Sequence, residues 1–242
     1  MRPIPLLAAL FVLAATSGAA AQQTPSIGGF GHFSPGVLGG GVINLNATLT
    51  DDALLGRNGA TDTTAAWIGG GGKIYVNGVI LGGNGYGFTY PDKGNDQGSV
   101  AIGGGGGGFH IGYDLLGSAK AMLYPYAGAG GATVEMQLHN RQKSREMAFG
   151  DSVIEPGQTS SYTSGFFYYE LGIGIISLLL QSDEDGMGVG GMVIGAEVGF
   201  LASVASSSWQ DEQQRDVIGL ESTAFTGGYL RLTIGGGGFF TH

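Results

Sequence analysis

The sequence predicts an all-β fold: an eight-stranded antiparallel up-and-down barrel with glycine-rich strands. Three observations point there. Glycine fills 50 of 242 positions, far above ordinary usage, and each glycine inside a helix costs about 1 kcal/mol against alanine. Behind a leader-like start, eight glycine-aromatic runs alternate apolar and polar positions, the period-two mark of a strand with one apolar face. The connections between runs alternate long and short, as in membrane barrels with tight turns at one end and long loops at the other.

Composition removes the competing classes. Charged residues make up 12% and hydrophobic residues 43%, too little charge and too much apolar surface for a disordered chain. The absence of cysteine excludes a disulfide scaffold or a cysteine-held zinc module. Glycine lacks the strict three-residue period of collagen. A formal charge of −9 argues against a nucleic-acid partner.

Met1-Arg2, the apolar stretch Ile4 to Ala15 and Ala19-Ala20-Ala21 read as a secretory signal peptide cleaved after Ala21. The stretch is too short to span a membrane as a helix. The expected division is therefore a signal over 1–21 and a single barrel domain over 22–242.

Strands are expected at 27–34, 67–77, 79–90, 100–113, 121–138, 165–180, 187–204 and 227–240. The long connections are 35–66, 91–99, 139–164 and 205–226; the short ones are Asn77-Gly78-Val79, Asp114 to Lys120 and Gln181 to Gly186. An even strand count puts both chain ends on the short-turn side. In the second run Ile68, Ile74 and Val76 oppose Lys73 and Tyr75. In the fifth, Tyr124, Tyr126, Ala132, Val134, Met136 and Leu138 oppose Thr133, Glu135 and Gln137. In the sixth, Phe167, Tyr169, Leu171, Ile173 and Ile175 oppose Glu170. In the seventh, Met192, Ile194, Ala196, Val198 and Phe200 oppose Glu197. In the eighth, Leu230, Leu232, Ile234 and Phe240 oppose Tyr229, Arg231 and Thr233. A helical hairpin over 165–204 is the competing reading, but Glu170, Glu197 and seven glycines interrupt it.

The apolar faces are expected to look outward at lipid. Their aromatics, Tyr113, Tyr124, Tyr126 and Phe240 near the short turns and Phe167, Tyr169 and Phe200 near the long loops, make two girdles. The other faces then send Lys73, His110, Glu135, Glu170, Glu197 and Arg231 into the lumen, since unpaired charge inside a soluble sandwich is costly. Two readings of these charges stand: a gated or ion-selective path, or a salt-bridged plug. Strand glycines relieve crowding in a narrow barrel and leave room for large side chains of neighbouring strands.

The run Leu123-Tyr124-Pro125-Tyr126-Ala127-Gly128-Ala129-Gly130-Gly131, with Gly108 to Asp114 before it, resembles the small outer-membrane β-barrel proteins, the outer-membrane-protein-A-like barrels. The final run Gly228 to Phe240 is similar to the terminal strand of that family, which the barrel-insertion machinery recognises by a closing aromatic. Here Thr241 and His242 follow Phe240, a departure from the pattern. The resemblance implies a bacterial outer-membrane location, with membrane lipid and the insertion machinery as partners, and is nearly silent on activity.

Other motifs carry little chemistry. Gly186-Met187-Gly188-Val189-Gly190-Gly191 matches a dinucleotide fingerprint in form but has no helix after it. Gly69 to Lys73 lacks the Ser or Thr of a phosphate loop. Asp183-Glu184-Asp185-Gly186 and Asp92 to Asp96 read as solvated turns before weak calcium sites. His139, Ser152, Ser160 and Asp151 share one polar loop without a catalytic spacing. No catalytic residue, metal or cofactor is expected. Arg141, Lys143 and Arg145 are candidates for lipopolysaccharide phosphates. Trp209 is either a recognition anchor or a residue folded back over the barrel mouth. The expected function is a non-enzymatic envelope-integrity or surface-recognition protein with an unidentified external ligand. The alternatives are a narrow pore for small solutes or ions, or a secreted soluble β-rich assembly.

Overall fold

A computed structural model describes residues 27–42, 64–118, 120–149, 151–184, 188–218 and 225–240. The predicted signal segment lies outside them. Eight long strands form the body: β1 (Ile27–Val42), β2 (Thr64–Val76), β3 (Val79–Thr89), β4 (Gly98–Tyr113), β5 (Ala121–Asn140), β6 (Thr159–Glu184), β7 (Gly188–Ser206) and β8 (Phe225–Phe240). Each pairs antiparallel with the next in sequence, and β1 pairs with β8. The sheet therefore closes with no free edge, an up-and-down barrel. Ile27 stands opposite both Phe240 and Val76, so both ends of the barrel domain lie on the short-turn side.

The turns explain themselves locally. Asn77 and Gly78 both have positive φ, 49° and 89°, the two-residue hairpin that matches strand twist. At the next short turn Asp114 accepts the backbone N–H groups of Leu116 (3.1 Å), Gly117 (3.1 Å) and Leu123 (3.2 Å). Burial raises its carboxyl pKa, and these donors pull against that shift.

β1 is longer than expected, running to Val42. Pro35 does not end it: the ladder to β8 passes from Phe33–Ile234 to Gly36–Arg231, while the ladder to β2 is unbroken. The missing N–H falls in a gap of one ladder, where a strand tolerates proline. β6 also begins earlier than expected, because Thr159 to Ser164 pair with the outer end of β5.

Inside and outside differ in kind. Outward positions carry Ile68, Ile74, Phe109, Ile111, Phe167, Leu171, Ile173, Val198, Leu230, Leu232 and Ile234, all substantially exposed. Along β6 the apolar outward side chains run from Phe167 to Leu179, about 30 Å along the barrel axis once strand tilt is allowed for. The lumen is packed with rings: Trp67, Tyr75, Tyr86, Phe88, Tyr124, Tyr126, Tyr168, Tyr229 and Phe239 are buried. Large inward residues face inward glycines on adjacent strands. A Cβ on Gly174 would lie 2.4 Å from the Tyr124 ring, on Gly172 2.6 Å from Tyr126, on Gly199 2.5 Å from the Tyr229 hydroxyl and on Gly82 2.3 Å from the His110 ring. These glycines are the sockets that let aromatic and charged groups fill a narrow barrel.

The fifth strand corrects one expectation. Tyr124 and Tyr126 point into the lumen rather than joining a girdle, with Val134, Met136 and Leu138 on the same inward side, while Glu135 faces outward to solvent. The reason is height. The outer third of β5 stands beyond the apolar belt, with water outside and loops packed over its inner face. Its amphipathicity there is that of a soluble sheet, and its parity carries down the strand. Tyr113, Phe167, Tyr169, Phe200 and Phe240 are exposed on the outer wall.

Candidate functional site

Two sites are built on this frame, one in the lumen and one above it. In the lumen, β7 and β8 place Glu197 opposite Arg231 in register, and β2 brings Lys73 across from the other side. Both cations bind the one carboxylate: Lys73 Nζ donates to Glu197 Oε1 and Arg231 Nε to Oε2. The Tyr124 hydroxyl donates to the same Oε1, and Lys73 also donates to the Tyr124 oxygen at 2.7 Å. Arg231 extends further: with the Asn84 amide oriented to suit its neighbours, Arg231 Nη1 donates to its oxygen at 2.7 Å and its nitrogen donates to the Gly108 carbonyl at 3.2 Å. The guanidinium also sits over Tyr229 (5.0 Å) and Trp67 (5.9 Å), a geometry suited to cation–π attraction.

A second carboxylate lies one step outward. Glu170 Oε2 accepts from the Tyr229 hydroxyl at 3.2 Å, and Tyr229 shares a 2.5 Å hydrogen bond with Tyr126. His110 Nδ1 stands 3.7 Å from Glu170 Oε1. Of the six residues expected in the lumen, Lys73, His110, Glu170, Glu197 and Arg231 are buried there; Glu135 is not. Two cations and two carboxylates face each other in a ring-filled space. Each of these buried charges is costly to unpair.

Asn84 and Trp67 complete the network and were not singled out from the sequence. Their signal was parity: both occupy inward positions, alternating with the outward Leu81 and Ile68 on their own strands.

Above the lumen the loops form a second core. Residues Met147–Phe149 and Ser152–Ile154 make a small antiparallel ladder. Phe149 packs on Tyr162 with ring centroids 4.9 Å apart. Trp209, 2% exposed, is folded back rather than presented as an exposed anchor. The Trp209 carbonyl accepts from Val217 N at 2.8 Å, and its neighbour Gln210 exchanges backbone bonds with Thr163 at 2.8 and 2.9 Å. Asp151 and Ile218 tie two loops together, at 3.1 Å between main chains and 2.9 Å to the Asp151 carboxylate. Asn140, fully buried, donates to the Arg145 and Ile154 carbonyls at 2.9 and 3.0 Å.

Arg141, Lys143 and Arg145 are exposed on the loop that leaves β5. His139 pairs with Thr159 at 2.9 Å, not with Ser152, Ser160 or Asp151. Among the described residues no group of three histidine or acidic side chains is placed to hold a metal.

No family model and no curated protein matches the chain. Solved structures similar to it include a major outer membrane protein from Thermus thermophilus, at 8% identity and TM-score 0.40, covering 88% of this chain and 99% of that one. Ail, the attachment invasion locus protein of Yersinia pestis, matches at 12% identity and TM-score 0.39, covering 89% and 98%. The outer membrane protease OmpT from Escherichia coli matches at 10% and 0.35, covering 93% and 100%.

Proposed function

We propose that the chain is a bacterial outer-membrane barrel closed to solute flow, serving without enzymatic activity as the anchor of an external recognition head. One observation carries the reading: the apolar side chains face outward around a lumen occupied by the Lys73–Glu197–Arg231 cluster and its aromatic neighbours. A soluble barrel would place these faces the other way round. The external head adds a second closure, with Trp209, Phe149 and Tyr162 buried above the mouth. Export through the 1–21 signal and assembly by the insertion machinery belong to the same reading.

Two measurements test it. The folded protein is expected to stay soluble only in detergent or lipid and to show heat-dependent gel mobility; a protein fully soluble without detergent overturns the membrane placement. In planar bilayers no steady conductance is expected. Stable single-channel currents would replace the anchor with a narrow pore.

A further inference from the structure

The hydroxyl-bearing rings of the lumen form a connected series. Trp67 lies nearly parallel on Tyr86, ring centroids 3.9 Å apart and planes 18° apart, and stacks on Tyr229 at 5.9 Å. The Tyr229 hydroxyl shares its 2.5 Å bond with Tyr126, whose ring stands 5.8 Å from that of Tyr124. Tyr90, just past the long-loop end of β3, extends the series toward the mouth, with Phe88 between it and Tyr86 at 6.2 and 6.4 Å. In a chain without cysteine, indole and phenol rings are the side chains that give up a single electron most readily.

The two carboxylates tell these rings apart. Tyr124 donates to Glu197, which Lys73 and Arg231 already bind, so a proton arriving there would break both ion pairs. Tyr229 donates to Glu170 Oε2 at 3.2 Å. Among the described residues no lysine or arginine pairs with Glu170; the His110 ring stands 3.7 Å from its other oxygen. Glu170 is therefore a base within hydrogen-bond reach of a phenol. The Arg231 guanidinium, 5.0 Å from the Tyr229 ring and 5.9 Å from Trp67, disfavours a positive charge resting on either. Trp67 can only pass a vacancy on, whereas Tyr229 can become neutral by losing its proton. Buried apolar groups close both ends: Phe166 and Phe225 near the long loops, Ile80 and Phe239 near the short turns. Dissolved reductants are thus kept from Tyr229.

We propose that the lumen is a one-electron relay ending at Tyr229. A strong one-electron oxidant in the water above the mouth, of the oxygen-radical class, draws an electron by way of Tyr90, and Tyr86 and Trp67 refill the vacancy in turn. Tyr229 supplies that electron to Trp67 and its phenol proton to Glu170 Oε2. The products are the oxidant reduced by one electron, a protonated Glu170 and a neutral phenoxyl radical on Tyr229, still bonded to Tyr126. The closed barrel alone sets these distances, so the relay does not rest on the membrane placement proposed above.

The test uses the full folded chain in detergent micelles with a ruthenium trisbipyridine complex, oxidised by a laser flash in the presence of persulfate. The radical is followed by transient absorption and, after freezing, by electron paramagnetic resonance. A long-lived neutral tyrosyl radical is expected, lost in Tyr229→Phe and retained in Tyr113→Phe and Tyr169→Phe, which remove exposed rings of the outer wall. Glu170→Gln removes the proton acceptor and should slow radical formation about tenfold or more. Trp67→Phe keeps a ring in place but breaks the relay, and should slow it as well. A ring-fluorinated tyrosine in place of Tyr229 should alter the hyperfine pattern of the radical, a readout that leaves the packing intact. A radical confined to Tyr113 or Tyr169, a pattern unchanged by the fluorinated ring, or formation indifferent to Glu170→Gln each overturns the proposal.

Discussion

Arg231 and Glu197 face each other across one antiparallel rung between β7 and β8, both almost completely buried, and Arg231 Nε donates to Glu197 Oε2. The same guanidinium reaches the Asn84 amide and lies over Tyr229 and Trp67. One side chain from the last strand thus engages groups from β2, β3 and β7 and holds the cylinder from within.

Removing that guanidinium takes the donor from Glu197 Oε2 and leaves Lys73 as the one cation facing the two buried carboxylates Glu197 and Glu170. Arg231→Met is therefore expected to destabilise the folded barrel by about 3–5 kcal/mol, read from urea unfolding followed by gel mobility. The double variant Arg231→Met/Glu197→Gln should not recover that loss, because it takes from the buried Lys73 its carboxylate, whereas the triple variant Arg231→Met/Glu197→Gln/Lys73→Met, with no charge of the cluster left, should recover a large part of it. A triple variant as weak as the single one would show that the cluster is incidental.

The glycine sockets make a paired prediction. Gly174→Ala drives a methyl into the Tyr124 ring, whereas a Cβ on Gly131 meets nothing nearer than 3.7 Å. Gly174→Ala is expected to cost about 1–3 kcal/mol of stability through overpacking, and Gly131→Ala close to nothing. Tyr124→Leu in the Gly174→Ala background tests the cause: steric relief should lessen the penalty of the glycine change relative to Tyr124→Leu alone.

Trp209 tests the external core. It is buried among loop residues outside the apolar belt, so Trp209→Ala should destabilise the head by about 3–5 kcal/mol while leaving the barrel intact. Limited proteolysis should cut the loops over 141–158 and 207–218 far faster in this variant, with the barrel fragment still resistant. Equal cleavage rates would mean that the tryptophan does not hold the loops.

The Asp211–Arg215 pair predicts a local pH response. A hydrogen bond from the Arg215 side chain, with backbone donors, holds the Asp211 carboxyl below the usual carboxylate range. A lowered folded value means that its contribution to loop order is present above the ordinary aspartate value of about 3.9 and lost as pH falls through the lowered one. In Arg215→Gln the Asp211 midpoint, followed by carbon NMR, should move upward.

Much of this architecture was legible beforehand. Period-two alternation on β2, β6, β7 and β8 assigned their inner and outer faces, since Lys73, Glu170, Glu197 and Arg231 each interrupt an apolar stripe at the opposite parity. Alternating long and short connections announced which end carries the loops. β5 was less readable. Its stripe Val134, Met136 and Leu138 is apolar like the others, yet it faces inward beneath the loops instead of outward.

What the chain's order of residues determined alone is the cylinder: strand number, antiparallel sequence, and the sorting of charges from aliphatics, because these follow from local parity and turn chemistry. Which charge meets which, the fit of Tyr124 and Tyr126 against glycines of the neighbouring strand, and the burial of Trp209 were decided only on closure. They depend on the stagger between strands and on loops meeting above the mouth, relations between distant segments that no local periodicity encodes.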